Sequence, residues 1–408
     1  MSEPRHFAFL DTVRGAAFLL VILLHTALAV GPFPSRSLLQ EGGYGVQLFF
    51  LASAITLCHS MNQRKLDDAY PVGFFYLRRL FRIAPLFWLA LIFYWVVPNI
   101  MPAFWLGQWA PLGVHPSYFV LTALFLHGWH PHTFNSIVPG GWSIAVEMTF
   151  YVVFPLLFCY VNSLKRAMVA VLASFVYLKI MLHRGWPTDS FFPFVHDHIY
   201  AGIGDHELDF FINLWFPAQL PVFLVGFLAY YLLQDPFIQK AMENKFWPRI
   251  LFLVGGIALL EWSSIGSGFV PGIFPVVLTM AGLIVAVSGA SMRWLVNPVI
   301  CGLGRISFSC YLMHFAGLGL ALKWLGHGQV LTEAAPAINA GGPLANALLF
   351  LRLLAVALLL TVVFSTLTYH LVEKPGIEIG RRLIRKLNQR AREAAAAGAA
   401  VPAGSSRN

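Results

Sequence analysis

The stretch Leu10-Asp11-Thr12-Val13-Arg14-Gly15-Ala16-Ala17-Phe18-Leu19-Leu20-Val21-Ile22-Leu23-Leu24-His25 decides the class of this chain. With its flanks it is apolar and long enough to cross a bilayer, which takes roughly 20 residues. Yet it holds an acid, a guanidinium and an imidazole. An Arg at mid-bilayer costs about 2.5–3.5 kcal/mol on insertion scales, so a buried ionisable group points to function by default. The rest of the 408-residue chain has the same character, at 58% hydrophobic and 11% charged. A soluble domain is about one-quarter charged, so the polar residues needed to coat two or three soluble domains are missing. Soluble enzymes, disordered chains and nucleic-acid-binding proteins are poor fits. The net charge of +9 sits largely in one terminal tail, and topology explains it better than nucleic acid does. The expected fold class is an all-α polytopic membrane protein.

Working outward, ten stretches have the length and hydropathy of spans: 7–30, 44–61, 76–97, 142–162, 166–183, 212–233, 249–262, 271–289, 300–324 and 346–372. Tyr118 to Leu126 is apolar but too short to cross. Placing the N-terminus in the cytoplasm puts Arg5, Arg64, Lys65, Arg78, Arg79, Arg82, Lys165, Arg166, Lys240, Lys245, Arg249, Arg293 and the basic tail from Lys374 on the inner side. Only Arg36 and Arg184 then fall outside, as the positive-inside rule requires. Both termini are expected in the cytoplasm. Ala27-Leu28-Ala29 looks like a signal-peptide cleavage site, but Asp11 and Arg14 interrupt the apolar run and the remaining chain is polytopic, so the first span is expected to be retained. Cys58, Cys159, Cys301 and Cys310 form no disulfide framework or metal spacing. Residues 1–375 read as the membrane domain. Residues 376–408 read as a tail, first basic and then rich in Ala and Gly, with disorder expected from Ala391.

The polar residues inside the spans carry the functional argument. Arg14 and His25 are eleven apart, almost three whole turns, so one helix face presents a cation low down and a titratable base ~16 Å further out. The bland alternative pairs Arg14 with Asp11 and gives His25 a backbone carbonyl. Gly140-Gly141-Trp142-Ser143-Ile144-Ala145-Val146-Glu147 opens a span from the outer side. It places Glu147 at about the depth of His25, where a carboxylate would fix the tautomer of a general base. Helix–helix glue through Ser143 or Trp142 is the competing reading. Arg78, Arg79 and Arg82 stand at an inner mouth, either as topology-setting charge or as a phosphate clamp, since guanidiniums grip phosphate with two hydrogen bonds. Arg305, Tyr311 and His314 lie on the ninth span, and Glu373 with Lys374 before Pro375 is expected to end and cap the last one. In the outer loops, Trp105, Trp109, Tyr118 and Trp129 read as an interfacial belt or a sugar-stacking platform. His127, His130 and His132 invite a metal reading, but no nearby carboxylate or Cys completes it. The His/Asp-rich 189–209 reads as a solvated face, with a metal site as its lesser alternative; no metal is predicted.

In order along the chain, six pieces resemble acyltransferase family 3: Leu10 to Gly15 with His25; Gly45-Val46-Gln47-Leu48-Phe49-Phe50-Leu51-Ala52-Ser53; Arg78-Arg79-Leu80-Phe81-Arg82-Ile83-Ala84-Pro85; Trp142-Ser143 through Glu147, Phe150, Tyr151 and Pro155; Ile306-Ser307-Phe308-Ser309-Cys310-Tyr311-Leu312-Met313-His314; and Val372-Glu373-Lys374-Pro375. The resemblance implies a ten-span enzyme of the bacterial inner membrane that moves an acyl group, usually acetyl, from cytoplasmic acyl-coenzyme A to surface carbohydrate. It implies that Arg79 and Arg82, with Arg78, hold coenzyme A phosphates, and that Arg14 lines the acyl path. His25 would then act at the thioester, supported by Glu147. Asp11, Trp142, Ser143, Tyr311 and His314 would line or support the site. Acyl-coenzyme A, a carbohydrate or glycolipid acceptor and membrane lipid are the expected partners, with no nucleic acid. Ala54 stands where the family commonly has Gly, and the C-terminal hydrolase-like domain of some members is not expected here, which leaves room for a separate extracytoplasmic partner. The rival reading is a transporter or flippase for a sugar- or lipid-linked substrate.

Overall fold

The computed structural model describes residues 8–34, 36–100, 115–183, 203–262, 273–327 and 337–399. Trp105, Trp109 and the acidic and His-rich positions of 189–202 lie outside these. Within the described residues the chain is helical, and the principal helices are numbered here in chain order: α1 Ala8–Leu28, α2 Gly45–Arg64, α3 Pro71–Ile100, α4 Gly141–Tyr160, α5 Leu164–His183, α6 Phe216–Leu232, α7 Trp247–Trp262, α8 Ile273–Val287, α9 Pro298–Arg305, α10 Ser307–Trp324, α11 Pro343–Thr368 and α12 Lys374–Ala399. Six helical segments are long and apolar enough to cross a membrane, or seven if the bent pair α9–α10 counts as one span. Two further apolar helices, Trp247–Leu259 and Ile273–Val287, are shorter. The 166–183 stretch is helical too, but Lys179 interrupts it. The difference from ten therefore lies in short or charge-bearing helices.

Helix surfaces explain why these elements need lipid. On α4, Val152, Leu156 and Tyr160 recur every fourth residue and are 67%, 61% and 66% exposed. Leu351, Leu359 and Leu367, eight residues apart, are likewise exposed along one side of α11. Such continuous apolar stripes are stable only against hydrocarbon or another apolar partner. Inward faces pack densely instead. Phe50, Phe223 and Phe150 from α2, α6 and α4 form one stack, with centroids 4.7 and 3.8 Å apart. Gln47 donates to Gln219 at 3.1 Å between α2 and α6, an amide pair where hydrocarbon offers no other partner. Tyr94 of α3 donates to the Leu312 carbonyl at 2.8 Å, tying α3 to α10.

α1 is central, packing on α2, α9, α10 and α11. Its tight seat on α9 depends on Gly304, where any Cβ would collide with the Asp11 carbonyl oxygen.

Two expectations are corrected. The predicted span 300–324 is two helices that meet at 82° around Ile306. Asn297 caps α9, its side chain accepting from Val299 and Ile300 N–H, and Gly302 and Gly304 weaken the helix before the break. The last span also does not stop at Glu373. A π-helical turn, Tyr369–Glu373, carries it into α12. Pro375 has no N–H to give to residue 371, and the wider turn just before it accommodates the loss. Residues 376–399, expected as a tail, are thus helical, and α12 packs along α3.

Candidate active site

Two cavities meet inside the bundle. The larger, about 560 Å³, opens where α1, α2, α3, α9 and α12 converge and has Arg14, Arg79 and Arg82 among its walls. The smaller, about 80 Å³, reaches further in past Ser53, Ser143, Glu147, Tyr151 and Tyr311. Arg14, Thr56, Arg79 and Arg82 line both, so they form the neck between mouth and interior.

Each neck residue is held in place. Arg14 is 3.4 Å from Asp11 across one turn and donates to Thr56 at 2.6 Å. Asp11 pairing, the bland alternative, is therefore present, yet Arg14 still faces the cavities. Arg82 reaches the carboxylate of Glu373 at 3.5 Å, and Ser309 donates to the other oxygen of that group at 2.7 Å. Glu373 is fully buried. It acts as an internal counter-ion rather than a helix cap. Arg79 lies over the rings of Phe75 and Tyr151, 6.0 and 5.9 Å from their centroids, an arrangement a planar guanidinium favours. Arg78 is engaged by Asp68 at 2.5 Å. Arg305, at the end of α9, also lines the mouth.

Inside the neck, Glu147 accepts from Ser53 at 2.6 Å and from Tyr151 at 2.5 Å. Ser143 donates to the Tyr311 hydroxyl at 2.8 Å, and Tyr311 donates onward to the Gly140 carbonyl at 3.0 Å. Gly140 has φ +73°, and a Cβ there would fall 2.9 Å from the Tyr311 oxygen. Both its conformation and its space require glycine. Beyond Tyr311 lies His314, 5.7 Å away ring to ring, and 5.0 Å beyond that lies His25. Phe315 packs on both imidazoles, at 4.0 and 4.5 Å.

His25 Nδ1 is 2.8 Å from the Val21 carbonyl. A carbonyl only accepts, so Nδ1 carries the proton and Nε2 keeps its lone pair. The same logic holds for His314, whose Nδ1 is 2.6 Å from the Tyr311 carbonyl. Its Nε2 is buried and makes no hydrogen bond.

The structure thus brings together Asp11, Arg14, Arg79 and Arg82 with Glu147, Ser143 and Tyr311, and joins His25 to His314. It does not join His25 to Glu147. Equal depth fixes height but not direction around the bundle, and α2 packs against both α1 and α4. A backbone carbonyl, not the carboxylate, sets the His25 tautomer. His25 lines neither cavity; Tyr311, His314 and Phe315 stand between. Trp142 is part of the core, stacked on Phe134 at 5.8 Å and edge-on to Phe50 at 6.5 Å.

Sequence reasoning missed Ser53, Thr56, Tyr151 and Glu373 as partners of the buried charges. The polar positions themselves were visible, but their partners lie on other helices. In the outer loop, His127 donates from Nε2 to the Gly141 carbonyl at 3.0 Å, and His132 faces Glu207 at 3.1 Å. No group of three or more metal-ligating side chains gathers among the described residues.

Apolar spans around a cationic mouth that leads to buried polar groups define a multi-pass membrane protein with an internal polar cavity. A family model for the acyltransferase domain matches residues 7–370, and the chain belongs to acyltransferase family 3. "Protein 2 in picA locus" of Rhizobium radiobacter is 34% identical over 90 residues, which cover 22% of this chain and 44% of that protein. No solved structure matches.

Proposed function

We propose that this membrane acyltransferase moves an acyl group, acetyl in the first instance, from cytoplasmic acyl-coenzyme A to a hydroxyl of an extracytoplasmic carbohydrate: exopolysaccharide, O-antigen or glycolipid. The observation that carries the reading is the shared neck of Arg14, Arg79 and Arg82. It joins a cationic mouth, suited to a nucleotide, to a narrower polar interior suited to a thioester arm. The positive-inside bias supports a cytoplasmic mouth and cytoplasmic termini, in what this reading takes to be a bacterial inner membrane.

In this scheme the acceptor hydroxyl attacks the thioester carbonyl. A C–O bond forms, the C–S bond breaks, and the hydroxyl proton passes to His25 Nε2. The imidazolium then returns that proton to the departing thiolate, giving coenzyme A as free thiol. The Val21 carbonyl keeps Nε2 available as the base. Glu147 does not touch the base; it balances the guanidiniums of the neck. Tyr311 and Phe315 must swing aside for the thioester to reach His25.

The test uses detergent-purified protein. Free thiol should appear from acetyl-coenzyme A when a carbohydrate acceptor is present. His25→Ala should abolish the release while the protein still elutes as a folded species. Full activity in His25→Ala would refute the mechanism. Movement of a lipid-linked sugar across vesicles without thiol release would favour transport instead. Comparing surface-glycan acetylation by NMR with and without the gene identifies the acceptor.

A further inference from the structure

One wall of the mouth comes from α12, which lies beyond the family match at residues 7–370. Eight arginines line this cavity among the described residues, against two carboxylates, Asp11 and Asp68. Both acids are already engaged, by Arg14 and Arg78. Arg82 is balanced by Glu373. Of the other five, Arg79 lies over Phe75 and Tyr151 in the neck, and Arg64 of α2, Arg305 of α9 and Arg381 with Arg385 of α12 line the mouth. Arg381 and Arg385 are four apart and share a helix face. Arg64 lies within electrostatic range of Arg381.

The position of α12 is fixed rather than incidental. Gly376 and Gly380, also four apart, let it seat on Pro85 and Phe81 of α3, where a Cβ would fall 2.9 and 2.7 Å from those side chains. At its far end Asn388 accepts from Ala69 N–H at 2.8 Å, and Arg392 donates to the Asp67 carbonyl at 2.8 Å. The helix is thus pinned to the 65–70 turn, which links α2 to α3. Glu378 holds Arg385 at 3.0 Å and Arg381 at 3.8 Å. With side chains 71% and 64% exposed, both guanidiniums are free to turn toward the cavity.

Resting on the acyl-coenzyme A reading above, we infer that Arg381 and Arg385, with Arg64, bind the ribose 3′-phosphate of the donor. The thioester enters through the neck, so the opposite end of the donor lies at the mouth. In coenzyme A that end is the adenosine, and its 3′-phosphate is a doubly charged group that paired guanidiniums suit.

Dephospho-coenzyme A, which lacks only this phosphate, is the discriminating probe. Equilibrium binding of coenzyme A and dephospho-coenzyme A is measured on the full-length protein in neutral detergent. The wild type should bind coenzyme A roughly tenfold or more tightly than the dephospho form. Arg381→Ala with Arg385→Ala should bind both with the weaker affinity of the dephospho form. Arg381→Lys with Arg385→Lys should keep part of the preference, which shows that helix placement is intact. A double alanine variant that still prefers coenzyme A overturns the inference. So does an equal loss for both probes that is reversed by phosphatidylglycerol, since the arginines would then serve a lipid headgroup. If the wild type binds neither probe, the donor reading itself is what fails.

Discussion

His25, His314 and His127 show how the same side chain takes different parts in one molecule. In each a backbone carbonyl accepts one ring N–H. At His25 the remaining lone pair sits on a half-buried ring packed against His314 and Phe315, whereas His127 is buried in the outer loop against Phe87. Burial depresses His127 to about 4, and the bond to Gly141 only partly opposes this. Between pH 6.5 and 4 the unfolded chain therefore takes up a proton that folded His127 refuses. Folding stability falls as pH drops through that window, by up to about 3 kcal/mol from this residue. His127→Gln keeps an N–H for Gly141 but cannot titrate. Its thermal midpoint in detergent should fall less than the wild type's between pH 7 and pH 4.5; parallel curves would remove His127 as the cause. The site residues were legible because charge is rare in an apolar chain. Helical phase put Arg14 and His25 on one face; the structure seats Arg14 in the neck and His25 against His314 and Phe315. The partner of Glu147 was not legible, since spacing along one helix carries no azimuth relative to another.

At the scale of elements, helix type was easy to read and helix continuity was not. Apolar runs announce spans, but the 82° bend at Ile306 and the π turn at Tyr369–Glu373 leave only faint marks: two glycines before one and a proline after the other. Both matter to the site. The bend sets Arg305 at the mouth while α10 directs Tyr311 and His314 inward. The close approach of α9 to α1 rests on Gly304. Gly304→Val should force these helices apart at Asp11 and lower the thermal midpoint by several degrees. The lost close packing, of the order of 1–3 kcal/mol, should also weaken the Arg14–Asp11 arrangement. Gly302 has open space beside it, so Gly302→Ala serves as the control and should leave the midpoint within a degree or two. Equal effects at the two positions would mean that helix propensity, not the α1–α9 contact, is responsible.

For the whole molecule, the excess of arginine over carboxylate around one cavity creates a field that acts before contact. Arg79→Ala with Arg82→Ala should raise the donor KM at least tenfold with a smaller change in kcat, and the wild-type donor KM should itself rise steeply with salt. A donor KM indifferent to salt and to both substitutions would return these arginines to a purely topological role. The membrane class was plain from composition. The number of crossings was not, because marginal helices such as α7 and α8 depend on neighbours for what they lack in length.

The π-helical turn has one more consequence. By inserting a residue into an α-helical register, it shifts the phase of everything after it by about 100°. α12 therefore meets α3 with Gly376 and Gly380, and turns Arg381 and Arg385 toward the mouth, only because of that offset. Deleting His370 would let the turn close to α-helix and leave the arginine pair where it is, whereas inserting one alanine after Glu373 would rotate the pair by about 100° away from the cavity without removing a single positive charge. The insertion is the test. Donor affinity should then fall as it does when both arginines are lost, whereas undiminished affinity would mean that charge number, not angular registration, governs the mouth.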